Sequence, residues 1–576
     1  MQTFDFTTLV AICSDIRANW LPSRLEQVYQ RDRFTISIAL RTLNGRGWLD
    51  ISRHPQAARI CIGEPPPRLP DTFTFSQQLR HQLGGLALVN IKNIAPWERV
   101  IDLQFASRPG DEVLYHIYVE IMGKHSNIIL TDATNTVITV AHQVSEQKSS
   151  VRPLVTGSAY QTPPNLTNTI PRISESQERW EERISLVPGT IKRQLLKNYR
   201  GVSPALIESM LFVSEINIDT TTDTLEAIAW NRLFQTWQKW LQLLEKEDFQ
   251  ASSTKSGYSV LGWGEIINAI DIQKLINSYY TEQLNQQSFT QLKHQITQKL
   301  NNILNKLKIK AQTFIQRLQQ SEEAEEYRQK ADLLMAYLHE WKPGMKEITL
   351  TDFETNKPVK IPLKEDKNAV QNAQYLYKQH QKLKRARFAV EPLLAQVQTE
   401  IEYLEQVESA IAQITQYETN EDLQALEEIR EELITQNYME DTEYRRRISS
   451  QSDKTNFRSE ITPSGFEVLI GRNNRQNDLL TFRVAGDYDI WFHTQEIPGS
   501  HVLLRLEPGA SLEKVDLQYV ANLAAYYSRS RQSEQVPVVY TEPKHVYKPK
   551  GAKPGIAIYK KERIIWGQPQ SYHKEK

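Results

Sequence analysis

The pattern of apolar and polar positions changes character along the chain. Up to about residue 175, short alternating runs dominate. In FTISIALR (Phe34–Arg41) and RICI (Arg59–Ile62) apolar side chains recur at every second position, the period of a strand with one buried face. Arg24–Gln30, Leu86–Lys92, Arg99–Phe105, Val113–Ile121, Asn127–Thr131 and Val137–Val140 read the same way. Arg108-Pro109-Gly110-Asp111 and Asp132-Ala133-Thr134-Asn135 separate strand pairs and predict hairpins. Helices are predicted over Thr7–Asn19 and Thr74–Leu83, the second stopped by Gly84-Gly85.

Between Val187 and Phe212 the texture turns helical. Two short helices meet at Arg200-Gly201-Val202-Ser203, where Ser203 suits an N-cap and Pro204 the first helical position. Such a glycine turn fits a helix-hairpin-helix, whose backbone amides can approach a phosphate. From the pattern alone, an ordinary two-helix corner that needs a glycine turn is the more common reading.

From about 285 to 341 and from about 371 to 435 the chain is charged and free of glycine. Ile296, Leu300, Ile303, Leu307, Phe314 and Leu318 recur at three- and four-residue spacing, as do Val397, Ile401, Leu404, Ile411 and Ile414. That period predicts a coiled coil. A small strand pair, Glu347–Leu350 and Pro358–Ile361, lies between the runs, so the simplest arrangement is an antiparallel helical hairpin with a β insert. At ~1.5 Å per residue each arm would reach roughly 80–100 Å. After Arg445-Arg446-Arg447 and the polar stretch Ile448–Ser459, a last module follows. Its predicted strands are Glu467–Ile470, Leu480–Val484, Asp489–Phe492 and His501–Arg505, then a helix from Lys514 to Arg531, then strands Val536–Tyr540, Gly555–Tyr559 and Ile564–Ile565. The fold class is therefore α+β and multidomain, divided at 1–175, 176–284, 285–440 (insert 342–370) and 441–576.

A chain of 576 residues is too long for one ordinary core, in keeping with this division. Its 69 basic and 69 acidic residues cancel, so global charge says nothing about nucleic acid. Thr541–Lys576 is locally basic, with nine Lys/Arg against three Asp/Glu. Two cysteines, Cys13 and Cys61, exclude a disulfide scaffold and a Cys-cluster zinc site and suit a reducing compartment. The opening MQTFDFTTLVAICSDIR lacks the basic start and long apolar run of a signal peptide, and no stretch approaches the ~20 apolar residues of a membrane span. A cytoplasmic protein without membrane contact is expected.

The sequence offers little catalytic chemistry. It has no phosphate-binding loop, His-Glu-x-x-His pair, nucleophile elbow or dinucleotide fingerprint. His125, His493 and His501 could serve as bases, but a lone histidine beside strands is more often a hydrogen-bonded structural residue. No catalytic residue, cofactor or metal is expected. Binding features are denser. Arg472, Asn473, Asn474, Arg475, Trp491, His493, Arg529 and Arg531 are followed by Lys544, Lys548, Lys550 and Lys553. Cations neutralise phosphates while amides and aromatics hold bases or sugars. The alternative is a charged surface with Trp491 and Phe492 in the core.

Several segments, in order, resemble the NFACT family of ribosome-quality-control factors. FDFTTLVAICSDI, with Asp5, is similar to the family's opening helix, and PDTFTFSQQLRHQLGG, with Arg80, to a Leu-Arg-containing segment ending in Gly-Gly. EIMGKHSNIIL is similar to its signature, carried here by Glu120, Gly123, His125, Ser126 and Asn127. NAQYLYKQHQKLKRA (Asn372–Ala386), GRNNRQND, DIWFHTQEIPGSHV and KPKGAKPG complete the match, which covers nearly the whole chain.

The resemblance implies an N-terminal α+β domain like that of formamidopyrimidine DNA glycosylases, a helix-hairpin-helix, a coiled coil with a middle insert and a C-terminal RNA-binding NFACT-R domain. The glycosylase activity itself is not implied, since the chain starts Met-Gln without the catalytic Pro-Glu. The implied activity is to bind large ribosomal subunits (23S rRNA) that still carry peptidyl-tRNA and to recruit alanyl-tRNA, so that a C-terminal tail grows without mRNA. The peptidyl transferase centre makes the bond and this chain, a monomer on the ribosome, supplies positioning. An Asp-Arg pair that recruits tRNA in the family reads Glu98-Arg99 here, one methylene longer, so Asp5, Glu98 and Arg99 are the implied tRNA-binding residues. Arg472, Asn473, Asn474, Arg475, Trp491, His493, Ser500, His501, Lys544 and Lys548 are the implied rRNA-binding candidates. Some members were once called fibronectin-binding proteins, which leaves a surface adhesin as one alternative. A nucleic-acid-binding protein without tailing activity is another.

Overall fold

The structure is a computed structural model. It describes residues 1–576 apart from 68–69, 95, 146, 148–151, 165–166, 354, 441–456 and 575–576. Arg445–Arg447 and most of the polar stretch after them therefore lie outside the described residues. The chain divides into two units, Met1–Asn285 and Gln286–Lys576.

In the first unit, α1 (Phe6–Trp20) is followed by β1 (Ser23–Gln30), β2 (Thr35–Arg41), β3 (Arg46–Ser52), β4 (Arg59–Gly63) and α2 (Thr74–Leu83). Then come β5 (Ala87–Asn93), β6 (Val100–Ala106), β7 (Tyr115–Glu120), β8 (Asn127–Asp132) and β9 (Val137–Val140). Among the described residues these nine strands form one antiparallel sheet in the order β4-β3-β2-β1-β5-β6-β7-β8-β9. Two meanders are joined where Ser23 pairs with Leu88 and Arg24 with Ala87. Both expected hairpins form, between β6 and β7 and between β8 and β9. Strand β3 is not foreshadowed by RGWLDIS, whose glycine and charges blur the alternation; its full pairing with β2 decides its conformation. Leu9, Ile12, Cys13 and Ile16 of α1 are fully buried in the core. Burial raises the pKa of both thiols, Cys13 and Cys61, to about 12, so they act as small apolar groups.

Four helices follow: α3 (Gln177–Ser185), α4 (Ile191–Asn198), α5 (Pro204–Val213) and α6 (Ala227–Lys246). Trp180, Trp237 and Trp240 make their shared core, with Trp237 and Trp240 centroids 4.9 Å apart. The expected caps hold: the Leu206 amide donates to Ser203 Oγ, 3.1 Å, and Pro204 opens α5. A small sheet of β10 (Ser252–Thr254), β11 (Gly257–Ser259) and β12 (Ile266–Ala269) closes the unit.

Helix α7 (Ile272–Glu322) carries the chain into the second unit, where α8 (Ala324–Ala336), β13 (Glu347–Thr351), β14 (Pro358–Pro362), α9 (Ala369–Gln413) and α10 (Asn420–Thr435) follow. Ala331 and Leu334 share a cluster with Ala373 and Leu376, Ala311 and Phe314 with Val390 and Val397, and Ile296 and Leu300 with Leu404 and Val407. Positions that descend one side climb the other, so α7–α8 and α9 run antiparallel along an apolar seam. At ~1.5 Å per residue, the 51 residues of α7 span about 77 Å and the 45 of α9 about 68 Å.

Two expectations are corrected in this unit. The run 371–435 is not continuous: α9 ends at Gln413 and α10 folds back on it, with Tyr403 Oη donating to Glu432 Oε1 (2.7 Å) and Tyr438 Oη to Glu400 Oε1 (3.0 Å). The new start is set by Asp422, whose Oδ2 accepts from the Thr419 amide at 3.0 Å, a local cap inside a glycine-free stretch. Leu480–Val484 is helical rather than a strand. It continues α11 (Asn474–Leu479), which Asn473 caps, and Leu480 enters the core beside Trp491. The apolar alternation of LLTFRV is overridden by that burial.

The last module also contains β15 (Arg458–Ile461), β16 (Glu467–Ile470), β17 (Ile490–Thr494), β18 (Val502–Leu504), α12 (Lys514–Tyr526), β19 (Val536–Thr541), β20 (Val546–Tyr547), β21 (Ile558–Tyr559) and β22 (Arg563–Gly567). Among the described residues, six of these strands form a sheet in the order β15-β16-β18-β17-β19-β22, and β20 and β21 pair separately. Helix α12 covers one face of the six-stranded sheet. No helix among the described residues is long and apolar enough to cross a membrane.

Candidate nucleic-acid interface

In the first unit, Asp5, Glu98 and Arg99 meet the turn between α4 and α5. Asp5 caps α1: its Oδ1 accepts from the Thr8 amide (2.8 Å) and hydroxyl (2.7 Å). Its Oδ2 accepts from Ser203 Oγ at 2.6 Å. Glu98 does not pair with the neighbouring Arg99. Its Oε1 is 3.2 Å from Arg200 Nη1, in a largely buried ion pair. Arg200 also donates from Nε to the Asn168 carbonyl, 2.8 Å. Arg99 Nη1 donates to the Phe4 carbonyl, 3.0 Å. Burial lowers the Arg99 pKa, and the nearby Asp5 and Glu98 carboxylates oppose that shift; the guanidinium keeps its charge.

Trp97 locks these groups in place. Its backbone has φ +64°, and its ring lies 4.9 Å from Phe6 and 5.4 Å from Trp240. Gly201, at φ +73°, passes so close that a Cβ there would stand 2.4 Å from Trp97 Cε3. The segment Trp97–Arg99, the start of α1 and the turn Arg200–Ser203 thus form one interlocked polar cluster with two arginines and two carboxylates. Asp5 and Glu98 are buried and both arginines bond to protein groups, so the cluster first fixes the turn; Arg99 and Arg200 remain partly exposed at its edge. The turn was visible in the sequence; its bonds to Asp5 and Glu98, 198 and 102 residues away, were not.

The signature residues build a turn. Glu120 is buried at the end of β7, where it accepts from Arg152 Nη1 (3.0 Å) and Tyr160 Oη (2.9 Å). Ser126 Oγ accepts from the Met122 amide, 2.9 Å, and Asn127 bonds both ways to the backbone of His142. Gly123 takes φ +58°. The result presents Lys124 and His125 to solvent. Arg80, on α2, donates to Asp71 Oδ2 at 2.9 Å.

In the second unit most of the implied RNA contacts face inward. Arg472, with a side chain 11% exposed, pairs with Glu421 and, at 3.3 Å, with Asp422 of α10. Asn473 Nδ2 donates to Glu428 (2.6 Å), Asn474 Nδ2 to Glu432 (3.1 Å), and Arg475 lies 3.6 Å from Glu431. The Gly-Arg-Asn-Asn loop is therefore the socket for the acidic face of α10. Trp491 is 1% exposed and its indole N–H donates to Thr481 Oγ1, 3.0 Å, so it is core and offers no platform to a base. His501 is 2% exposed; its Nδ1 lies 2.6 Å from Thr481 Oγ1 and its amide donates to Asn477 Oδ1. Its ring is 5.2 Å from that of His493. Burial lowers the pKa of His493 to about 4 and that of His501 well below its usual value. Ser500 is buried and donates to Gln413 Oε1, 3.1 Å. Lys544 and Lys548 are at the surface, paired with Glu542 and Asp478. Among the described residues no cluster of three or more His, Cys, Asp or Glu is arranged to hold a metal.

Known proteins cover the chain almost end to end. The family model described as NFACT N-terminal and middle domains matches residues 5–452, and that described as NFACT protein RNA binding domain matches residues 456–560. The "Rqc2 homolog RqcH" of Bacillus subtilis (strain 168) is 27% identical over 593 aligned positions, spanning 99% of this chain and 98% of the relative. That of Streptococcus suis (strain 05ZYH33) is 28% identical over 576 positions, spanning 98% of each. Among solved structures, the C-terminal part of the fibronectin/fibrinogen-binding protein from Streptococcus suis aligns at TM-score 0.37 and 30% identity, covering 49% of this chain and 95% of that one. The N-terminal part aligns at TM-score 0.39 and 21% identity, covering 49% and 100%. With family models matched from residue 5 to residue 560, this chain belongs to the NFACT family.

Proposed function

We propose that this protein acts in ribosome quality control. It binds large ribosomal subunits, through 23S rRNA, that still hold peptidyl-tRNA, and it recruits alanyl-tRNA so that the nascent chain receives a C-terminal tail. The observation that carries this reading is the end-to-end match to RqcH proteins, joined to an RNA-binding domain model at the C-terminal end. The partly exposed Arg99 and Arg200 are the proposed tRNA contact, with the buried Asp5 and Glu98 carboxylates beside them on a helix-capping turn. The chain makes no bond of its own; it holds two RNAs in register, and proximity alone can supply several orders of magnitude in rate. The cytoplasm is the compartment this activity requires.

The test is a reconstitution. Purified chain is added to large subunits carrying peptidyl-tRNA, with charged alanyl-tRNA and no mRNA. Lengthening of the nascent chain by alanine is expected. Covalent turnover by the chain with no ribosome present would refute the scaffold reading. Removal of the chain from intact cells by external protease would favour an adhesin instead.

A further inference from the structure

The six-stranded sheet ends on β22, which has no further strand on its outer side among the described residues. On the inner strands, the face that carries Trp491, Leu503 and Val539 is buried beneath Leu480 and Val546. Ile564 lies across from Val539 and Trp566 across from Pro537, so both extend that same face. Yet Ile564 is 54% exposed and Trp566 55% exposed.

Cations border this apolar strip. Tyr547, 44% exposed, has the Lys560 ammonium 5.8 Å from its ring centroid. The Lys560 amide donates to the His545 carbonyl at 3.0 Å, and Lys561 turns the chain at φ +53° into β22, whose first residue, Arg563, lies across from Tyr540 on the opposite face. Arg472, Arg475, Lys544 and Lys548 are all paired with carboxylates. Lys560, Lys561 and Arg563 take part in no ion pair among the described residues. Thr541–Gly567 carries seven Lys/Arg and two Glu.

We propose that this edge, formed by Tyr547, Lys560, Lys561, Ile564 and Trp566, is where the module holds single-stranded RNA. The inference rests on the RNA-binding reading above and moves the contact away from the Arg472–Arg475 loop. Exposed aromatic faces stack on successive bases, and unpaired cations beside them neutralise the connecting phosphates. A protein strand could pair with the open side of β22. The excess of unpaired positive charge fits a polyanion better.

The test is fluorescence anisotropy with a labelled oligouridylate and the full chain across a salt series. Trp566→Ala is expected to weaken binding about tenfold at fixed salt without changing the salt dependence, and Trp566→Phe to restore most of it. The double variant Lys560→Ser, Lys561→Ser is expected to reduce the slope of log affinity against log salt by about 1.4. All these residues are exposed, so the variants should unfold at the parent's temperature. If both variants bind RNA as the parent does, the surface is wrong while the RNA-binding reading stands, even if they lose a protein partner. If the parent itself binds no RNA, both fail.

Discussion

The Ser203 hydroxyl donates to Asp5 Oδ2 across 2.6 Å, so the residues that cap α1 and α5 hold each other. Each also serves its own helix, through Thr8 and Leu206. Ser203→Ala removes a cap and leaves a buried carboxylate oxygen short of a donor, which should cost about 2 kcal/mol. Asp5→Ala should cost about as much. Because the two share a bond, the double variant should lose clearly less than the sum, as measured by urea denaturation.

Gly201→Ala should be more damaging than an exposed turn would suggest. A Cβ would collide with the Trp97 ring, and the residue sits at positive φ. A loss of about 1–3 kcal/mol is expected, with altered fluorescence from Trp97 and failure to capture tRNA. Unchanged stability and tRNA capture would show that the clamp is not needed.

Replacing Glu98 and Arg99 together by alanine should leave large-subunit binding intact and abolish tRNA capture in a filter-binding assay. The structure adds a finer expectation: Arg200→Ala should mimic Glu98→Ala, because the carboxylate's partner is Arg200. Loss of subunit binding in the double variant would mean that these residues serve folding instead.

Much of this fold could be read locally. The alternation in Thr35–Arg41 forms a strand, though both of its faces are buried; Ser203-Pro204 caps a helix; and Ile296 and Leu300, like Ile401 and Leu404, lie on helices and meet in one cluster. The candidate sites were less legible because their partners are remote. Nothing near Arg472 announces that Glu421 and Asp422 will neutralise it, and a Trp-Phe-His strand reads alike whether its tryptophan faces a base or the core. Trp566 escaped notice for the converse reason: Ile564 and Ile565 predict a strand, but only the sheet order shows that it is an uncovered edge.

Arg472 therefore behaves as a structural anchor. Arg472→Ala leaves Asp422 without its cation in a largely buried pair, and should cost about 3 kcal/mol. Hydrogen exchange should quicken along Asn420–Thr435, while RNA affinity, measured well below the unfolding transition, should change little. A large drop in affinity with unaltered exchange would return this loop to the RNA interface.

Acid should destabilise the last module through its paired histidines. His493 titrates at about 4 when folded and near 6.5 when unfolded, so between these values only the unfolded chain takes up the proton. Stability is fully present above about 6.5 and falls as pH drops towards about 4, by at most about 1.4 kcal/mol per pH unit for each histidine. His501 shifts in the same direction, with His493 and Lys548 adding to its desolvation. Urea midpoints at neutral and mildly acid pH should show the slope, and His493→Gln should flatten it. A midpoint independent of pH across this window would contradict the lowered folded-state pKa of the two histidines.

The central claim, that this chain grips the large ribosomal subunit and leaves bond-making to it, is tested most directly by sedimentation of purified chain through a sucrose cushion with isolated large subunits. The chain should pellet with large subunits in a saturable, roughly one-to-one manner and remain in the supernatant with small subunits. A chain that stays in the supernatant with both, or pellets equally with both, would contradict the account.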